Sequence, residues 1–374
     1  MDVTVQRSDL LRELRLIQPV VERKNTIPIL ANVLLRAEAG KSSSVMFSAT
    51  DLEVALIGSC AAEIATPGEM TLPARRLYDI VKALSDGPVR LSSTAKDGKL
   101  DAGGYSARLQ TLPREDFPVL SEPKPDAVTI ALPKATFKGL IGRVAFAITH
   151  EDTRYFLHGS LLVLKDGRMA LVSTDGHRLA LASAACPEVP VDISNVIIPA
   201  KTLTEFDQLL SEDSGGDTTI HYTRGDNHLF FQIGSHTLIS RVIDANFPAY
   251  ERVIPKGNDK RVEVNRAQLA SAIKRVQLMS HERSHSVTFA FKAGEVEMSA
   301  RSAESGEATE SIPVEWTHEP VSVCFNASYV LDFLGAADTE QIAFELKDEI
   351  TQAIVRPVGE TDYSYLYVLM PMRI

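Results

Sequence analysis

The stretch TLPARRLYDIVKAL (residues 71–84) has two counterparts along the chain, VIIPAKTLTEFDQLL (196–210) and VSVCFNASYVLDFL (321–334). Each reads as a short apolar strand, one or two turn residues and an amphipathic helix. The copies begin 125 residues apart, which is far longer than the roughly 20 to 50 residues of a solenoid repeat. The sequence therefore predicts one domain that is present three times.

A second strand and helix precede each of these stretches. They are VTVQRSDLLRELRLI (3–17), VTIALPKATFKGLIGRV (128–144) and VEVNRAQLASAIKRV (262–276). Alternating apolar residues, such as Val128 and Ile130 in the second copy, predict a half-buried strand, and the apolar residues that follow at helical spacing predict a helix with one apolar face. We therefore predict an α+β fold in which every copy packs two helices on antiparallel sheet.

Two polar, proline-containing joints separate the copies, at residues 121–126 and 254–260. Such segments are typical of the connections between compact units. They predict three domains, which span residues 1–124, 125–252 and 253–374.

The composition is that of a globular protein, since 44% of the 374 residues are hydrophobic and 24% are charged. The cysteines Cys60, Cys186 and Cys324 are scattered and form no CxxC motif, which predicts a reducing compartment without disulfides. No apolar run approaches the roughly 18 residues of a membrane span, and no signal peptide is evident. We expect a cytoplasmic protein that makes no membrane contact.

The charge is unevenly distributed along the chain. The formal net charge is −10, whereas the six predicted helices with their leading residues carry +7, which leaves −17 for the rest. A basic helical layer on an acidic body suits a surface that faces phosphates. Lysine and arginine also line ordinary solvated helices, so the charge alone leaves both interpretations open.

Seven segments, in order, carry a resemblance to a known family. They are TIPILANVLL (26–35), SATDLEV (48–54), LPREDFP (112–118), HEDTRYFLHG (150–159), STDGHRLA (173–180), NFPAYERVIP (246–255) and YVLMPMRI (367–374). With the triplication, they make the chain resemble the bacterial DNA polymerase sliding clamps, the beta subunits of the replicative polymerase. The resemblance implies a DNA clamp fold and a head-to-tail homodimeric ring of six similar domains, with helices lining a central hole.

The same resemblance implies a processivity factor that has no catalysis, metal or cofactor of its own. It would encircle double-stranded DNA, contact phosphates without reading bases, and so slide. Its protein partners would be the alpha subunit of the replicative polymerase, the clamp loader, and other polymerases and repair factors that dock through short linear motifs.

The DNA contacts implied by the resemblance lie on the helices and on two loops. They are Lys24, Arg75, Arg76, His150, Tyr155 and Lys201. Two positions depart from the family, because Lys24 stands where arginine is frequent and Glu151 where a neutral polar residue is frequent. An acid at 151 should weaken that phosphate contact.

A hydrophobic cleft between the second and third domains is implied as the docking site for partner peptides. The matching positions are Leu157, Thr174, Gly176, His177, Arg178, Leu179, Pro248, Arg252, Val253, Asn326, Tyr329, Val368, Met370, Pro371 and Met372. Methionines at such a wall suit a surface that accepts several ligands. From the residues alone, Val368, Met370 and Met372 could equally form one face of a last core strand.

The subunit seam is implied to join the third domain of one copy to the first domain of the next. Its positions are Ala107, Arg108, Leu109, Leu278, Met279, Glu304, Glu307 and Glu310. The three glutamates are expected to face Arg108, and apolar contact should dominate because exposed ion pairs contribute only about 0 to 1 kcal/mol each. Ala107 stands where the family has larger side chains, which predicts a weaker seam.

The sequence also contains features of other functions. The segment from His281 to His285 matches the HExxH motif of zinc peptidases, but that motif needs a helix, and the helical pattern here stops near Met279. Asp175 with His177 resembles an acid–base pair without a nucleophile, which favours a structural turn. A three-domain scaffold that binds no DNA is the remaining alternative, and the absence of a GxxxxGK[ST] motif predicts no nucleotide hydrolysis.

Overall fold

The computed structural model describes residues 1–21, 27–38, 43–94, 97–149, 153–189, 192–212 and 216–373. The first third of the chain contains β1 (Asp2–Gln6), α1 (Arg7–Ile17), β2 (Asn32–Ala37), β3 (Ser44–Thr50), β4 (Val54–Ala61), β5 (Glu63–Thr66), β6 (Gly68–Pro73), α2 (Ala74–Ala83), β7 (Pro88–Ser93), β8 (Asp97–Ala102) and β9 (Tyr105–Gln110).

Among the described residues, the middle and last thirds repeat this order without a counterpart of β5. The middle third contains β10 (Thr129–Pro133), α3 (Lys134–Val144), β11 (Gly159–Lys165), β12 (Arg168–Thr174), β13 (Arg178–Ala185), β14 (Asp192–Pro199), α4 (Ala200–Glu212), β15 (Thr219–Arg224), β16 (His228–Ile233) and β17 (His236–Arg241). The last third contains β18 (Lys260–Asn265), α5 (Arg266–Val276), β19 (Ser286–Lys292), β20 (Glu295–Ser302), β21 (Gly306–Pro313), β22 (Val321–Asn326), α6 (Ala327–Ala336), β23 (Gln341–Leu346), β24 (Ala353–Val358) and β25 (Tyr363–Leu369).

The predicted α+β fold with two helices and antiparallel sheet in each copy is confirmed. The predicted apolar faces are buried, as in α1, where Leu10, Leu14 and Ile17 point into the core. One strand prediction is wrong, because β10 begins at Thr129 and Val128 is 67% exposed. The polar, proline-rich joint extends up to Val128, so this valine has no strand neighbour to pack against.

The strands form four antiparallel sheets, two in each of two compact units. The first unit (1–135 and 201–242) contains the sheets β5-β1-β7-β8-β9 and β10-β15-β16-β17-β4-β3-β2-β6. The second unit (136–200 and 243–374) contains the sheets β14-β11-β12-β13-β25-β24-β23-β18 and β21-β20-β19-β22. The units divide the middle repeat because its two groups of strands belong to different sheets, and the predicted boundaries at 124/125 and 252/253 stay predictions.

Two strand pairs join one repeat to the next, and we call them the internal junctions. In the first junction β4 pairs with β17, and in the second β13 pairs with β25. Both are flanked by apolar side chains, including the pairs Leu56–Leu238 and Leu179–Val368. Each eight-stranded sheet is therefore built from four strands of each neighbouring repeat.

Eight strands have a neighbour on one side only among the described residues, and two of them are the repeat equivalents of the strands that pair at the internal junctions; we call these two the free edges. They are β9, at the end of the five-stranded sheet, and β21, at the end of the four-stranded sheet. An unpaired edge presents free backbone N–H and C=O groups to a further strand. None of the described helices is long and apolar enough to cross a membrane.

Candidate functional site

The first candidate surface is the start of α2, which carries Arg75 and Arg76. Leu77 and Val81 are buried and fix the face of the helix that meets the core, so both arginines are exposed. Neither guanidinium makes an ion pair within the described part of the chain. A cleft of about 800 Å³ lies beside them, and it is lined by Arg15, Gln18, Pro19, Val21, Ala31, Pro73, Arg75, Arg76, Tyr78, Asp79 and Gln208.

Lys201, the third described residue predicted to contact DNA through a basic side chain, is tied to an acid. It lies in the first turn of α4, and its Nζ contacts the carboxylate of Asp51, which is only 4% exposed. The other carboxylate oxygen of Asp51 accepts the N–H groups of Glu53 and Val54. Burial raises the pKa of the nearby Glu205 to about 7, with Lys201 opposing the shift and Asp51 adding to it.

The basic character predicted for the helices is reduced by ion pairs to residues outside them. Arg7 binds Asp86 at 2.9 Å, Arg143 binds Asp338 at 2.7 Å, and Arg275 in α5 binds Glu310 in β21 at 2.8 Å. The sequence count assigned these acids to the remainder of the chain, since they lie far away in sequence or on a strand. The count of +7 therefore overstates the positive charge that the helices present to solvent, and Arg75 and Arg76 are the clearest examples of cations that remain exposed.

The predicted DNA contacts in loops are only partly described. Tyr155 is 58% exposed and lies in a 3₁₀ turn, with its ring 6.0 Å from that of Phe156. Lys24 and His150, together with the departure at Glu151, lie outside the described residues.

The second candidate surface is one face of the second internal junction. Leu179 of β13 and Val368 of β25 are directly opposed and buried, and they pack in one apolar cluster with Leu161, Ile197 and Ile354. Partly buried side chains border this cluster, namely Phe156, Val163, Leu181, Ile243, Ala245, Phe247, Tyr250 and Ile254. The predicted cleft residues Pro248 and Arg252 are exposed beside Tyr250, Val253 is half-buried, and Leu157 is buried.

The turn between β12 and β13 holds Thr174, Gly176 and His177 at the end of this surface. One carboxylate oxygen of Asp175 accepts the N–H groups of His177 and Arg178, at 2.9 and 3.0 Å. The Thr174 hydroxyl donates to the carbonyl of Arg178. Asp175 and His177 thus form the structural turn that their spacing favours, which leaves the His177 ring exposed.

Arg178 lies on the opposite face of β13 from Leu179, because successive strand residues alternate. Its guanidinium binds Asp175 at 2.9 Å and Asp332 of α6 at 2.6 Å, and it lies 4.2 Å from the centre of the Tyr329 ring. The predicted cleft positions therefore fall on two sides of one strand. Asn326, the last residue of β22, caps α6 by accepting the N–H of Ser328.

The C-terminal residues separate the two interpretations of the YVLMPMRI segment. Val368 is a fully buried residue of β25, as the core-strand interpretation holds. The strand ends at Leu369, and Met370 and Met372 follow it half-buried, anchored by N–H groups that donate to the carbonyls of His177 and Cys324. Pro371 lies between them and is also half-buried. Both methionines therefore follow β25 without belonging to the strand.

The remaining candidate residues lie on the free edge β9 of the first unit and, in the second unit, on the free edge β21 and at the end of α5. On β9, Leu109 is buried, Ala107 is half-buried and Arg108 is exposed. After α5, Leu278 is 73% exposed and Met279 is half-buried in a short 3₁₀ turn. This 3₁₀ turn packs against β21, so the exposed Leu278 lies beside a free edge.

The predicted glutamates of the seam do not all face the same way. Glu307 is exposed on β21 and Glu304 is exposed in the turn before it. Glu310 is three residues from Glu307, so it lies on the other face of the strand, where its carboxylate binds Arg275. Glu310 is thus already bound within the chain, and the expectation that it faces Arg108 of another copy stays a prediction.

The HExxH motif lies in a turn between the 3₁₀ turn Gln277–Met279 and β19. His285 has a positive φ of 48° and donates its N–H to the carbonyl of His281. The predicted loop is confirmed, and the imidazoles lack the helical frame that a zinc peptidase needs. No cluster of potential metal ligands occurs among the residues that the structure describes.

Comparisons with known proteins agree over the whole chain. The family models described as the N-terminal, central and C-terminal domains of the DNA polymerase III beta subunit match residues 1–121, 131–249 and 251–373. The beta sliding clamps of Pseudomonas putida and Caulobacter vibrioides are 38% and 40% identical to it, with 100% of each chain covered. A crystal structure of the sliding clamp from Pseudomonas aeruginosa bound to griselimycin aligns with a TM-score of 0.93 at 37% identity, again over 100% of both chains.

Proposed function

The chain belongs to the DNA polymerase III beta subunit family, and on this premise we propose which of its surfaces close a ring, face DNA and receive partner proteins. Its function is that of a DNA sliding clamp, a processivity factor of bacterial replication that is not itself an enzyme. The three repeats and the two free sheet edges carry the assignment of the ring.

The repeat predicts how the free edges are used. In the three successive repeats, the third strand after the first helix is β4, β13 and β21. The third strand after the second helix is β9, β17 and β25. In both internal junctions a strand of the first group pairs with a strand of the second. The members left over are β21 and β9. We assign them to each other across a subunit seam, which makes a head-to-tail homodimer of six similar domains.

The internal junctions also predict the register of this seam. They pair Ala55 with Ile239 and Leu179 with Val368. Within each repeat, the junction strand or free edge also pairs with its neighbour in a hairpin, and residues that pair with equivalent positions of that neighbour are equivalent. By this criterion Glu307 is equivalent to Ala55 and Leu179, and Arg108 is equivalent to Ile239. Glu307 of one copy therefore faces Arg108 of the next, as the resemblance implied, while Ala308 faces Ala107.

The helical surface is the part that faces DNA in this proposal. Arg75 and Arg76 are exposed cations beside a cleft that holds a third arginine and one aspartate. Such side chains contact phosphates without reading base edges, which allows sliding along any sequence. Lys201 contributes less because Asp51 already neutralises it.

The apolar surface around Leu179 and Val368 is the docking site for partner peptides. It combines a buried apolar floor and a border of partly buried apolar side chains with exposed residues at His177, Pro248 and Arg252, and the half-buried Met370 and Met372 follow β25 directly. Peptide sites are built in this way, from apolar pockets bordered by a few polar groups. The partners we propose are the polymerase alpha subunit, the clamp loader and repair factors, in the cytoplasm of a bacterial cell.

A disulfide cross-link tests the ring. Arg108→Cys combined with Glu307→Cys should give a covalent dimer under oxidation, because a disulfide needs Cα atoms within about 7 Å. Arg108→Cys with Ser311→Cys is the matched control, since four residues along β21 displace the thiol by about 13 Å. The native cysteines are buried. Equal cross-linking in both variants, or a monomeric mass in sedimentation, would refute the seam.

A topological assay tests sliding. The protein is loaded by its clamp loader on nicked circular DNA, which is then linearised. A ring that encircles the duplex leaves through the free ends, whereas a protein that grips phosphates stays bound. Retention on the linear DNA would contradict the proposed mode of binding.

A further inference from the structure

One strand position recurs at both internal junctions and carries a polar ring. At the first junction it is His236, which lies next to the Thr237–Ile57 pair and so faces Gly58. A Cβ atom on Gly58 would lie 2.8 Å from the His236 ring, which confirms their proximity. At the second junction the position is Tyr365, which faces Ala182.

Both rings reach the first helix of the preceding repeat. His236 Nε2 lies 2.9 Å from a carboxylate oxygen of Glu13 in α1, with both side chains buried. The hydroxyl of Tyr365 donates to the carbonyl of Arg143 in α3 at 2.7 Å. The Arg143 guanidinium also lies over the Tyr363 ring at 3.6 Å. At each junction, a ring side chain of the strand therefore hydrogen-bonds to the first helix of the preceding repeat.

The free edges β9 and β21 carry residues at the equivalent positions, but no second strand lies alongside them among the described residues. The hairpin of β8 and β9 places Tyr105 where the hairpin of β16 and β17 places His236. Tyr105 is 45% exposed and lies on the same face of β9 as the buried Leu109. On β21 the counterpart of Gly58 is Glu310.

Helix α5, which packs against β21, carries the residue equivalent to Arg143. Arg275 is the tenth residue of α5, as Arg143 is of α3. It is 61% exposed and bound to Glu310 at 2.8 and 2.5 Å, with Glu310 29% exposed. The ion pair therefore lies on the face of the β21 edge that an incoming β9 would place opposite Tyr105.

We propose that Tyr105 packs across the subunit seam on the Arg275–Glu310 ion pair of the partner subunit, with its ring on the guanidinium and its hydroxyl on the Arg275 carbonyl. The inference rests on the proposed head-to-tail dimer and adds a specific anchor to it. Aromatic rings over arginine are favourable, more so when water is excluded. Tyr105 also supplies apolar area that Ala107 lacks, since the counterparts of Ala107 at the internal junctions are Leu238 and Tyr367.

A double-mutant cycle on the dimer dissociation constant tests this contact. Tyr105→Ala and Arg275→Ala should each weaken dimerisation about tenfold, and the double variant should be little weaker than either single one, because the two changes remove the same interaction. Tyr105→Phe keeps the ring and should lose about threefold. Ile350→Ala, at a residue that is 76% exposed, is the matched control and should leave the constant unchanged.

The outcomes separate this anchor from the ring itself. Leu278→Asp should produce monomers if the proposed seam exists. If Leu278→Asp dissociates the dimer while Tyr105→Ala and Arg275→Ala do not, or if their effects simply multiply, the anchor is refuted and the ring stands. If the unmodified protein is already monomeric in sedimentation, the proposed ring fails, and the anchor fails with it.

Discussion

The second internal junction and the free edges use equivalent strands for different purposes. On the face of the junction where Leu179 opposes Val368, the side chains are apolar and buried in one cluster. The equivalent positions of the free edges are Glu307 and Arg108, both exposed and charged. One backbone arrangement therefore carries either a core or a polar surface, depending on the side chains of two strands.

This difference assigns a mechanical role to each contact. Burying an apolar side chain contributes about 1.5 to 3 kcal/mol, whereas an exposed ion pair contributes about 0 to 1 kcal/mol. The internal junctions should consequently stay closed for as long as the chain is folded. A ring that must open to admit DNA should open at the seam, where the contacts are polar and the apolar contribution comes from a few residues such as Leu278 and Tyr105.

The largest expected effect comes from placing the same charge in both regions. Val368→Asp buries an unpaired carboxylate at the internal junction and should lower the free energy of unfolding by about 3 kcal/mol or more. Arg108→Asp, on the free edge, should change it by about 0.5 kcal/mol or less. Urea denaturation measures both, in a Leu278→Asp background so that dimerisation does not add to the apparent stability.

The contrast fails if the two substitutions destabilise the chain equally, since β25 would then pack no more tightly than a free edge. The reverse result is expected for assembly. Arg108→Asp places a like charge opposite Glu307 and should weaken the dimer, as measured by sedimentation in the otherwise unmodified chain.

An intermediate effect is expected from Gly58→Ala at the first junction. The added methyl group would lie 2.5 Å from the Glu13 carboxylate and 2.8 Å from the His236 ring, so Glu13 and His236 would have to separate. Overpacking of this kind lowers the free energy of unfolding by about 1 to 3 kcal/mol. Thermal unfolding measures the loss. Gly335→Ala is the control, because nothing lies within 4 Å of its added Cβ in α6, and it should be neutral or stabilising.

The local pattern of apolar residues was enough to predict the helices and strands, but it could not predict the contacts between repeats. The apolar spacing of Leu10 and Leu14 marks the buried face of α1 because helical periodicity is a property of neighbouring residues. The ion pair of Lys201 with Asp51 joins residues that are 150 positions apart, and no periodicity encodes it. The charge count consequently overestimated the free cations on the helices.

Strand alternation predicts faces but not the strand that lies alongside. It separates the consecutive residues Arg178 and Leu179, both assigned to the cleft, onto opposite faces of β13, but it could not show that Leu179 meets Val368 of β25 or that Arg178 meets Asp332 of α6. Tyr105 was missed for the same reason. A signal existed, because Tyr105 and His236 each begin the strand that follows a glycine-containing hairpin turn, but its meaning depends on the strand pairs of the folded repeats.

The smallest expected effect concerns pH, which should act on Glu205 of α4 and not on the free edge. Burial raises the pKa of Glu205 to about 7, so the folded chain binds a proton there that the unfolded chain, with a pKa near 4.5, has released. Stability should therefore fall as the pH rises between these values. At the edge, the hydrogen bond from Arg275 lowers the pKa of Glu310, so its contribution is fully present above the ordinary pKa and is lost only in acid.

Glu205→Gln removes the ionisation and tests this difference. The variant should exceed the unmodified chain in free energy of unfolding by about 1 kcal/mol near pH 8, a value reduced from the full shift because the carboxyl is partly exposed. Well below pH 4.5 the two should converge, because both side chains are then neutral in either state. Thermal unfolding at the two pH values gives the comparison. Glu310→Gln should show the opposite pattern, with a constant loss of about 0.5 kcal/mol in the free energy of unfolding above pH 5. If this variant instead gains stability relative to the unmodified chain between pH 6 and 8, the edge carboxylate, too, is protonated in the folded chain.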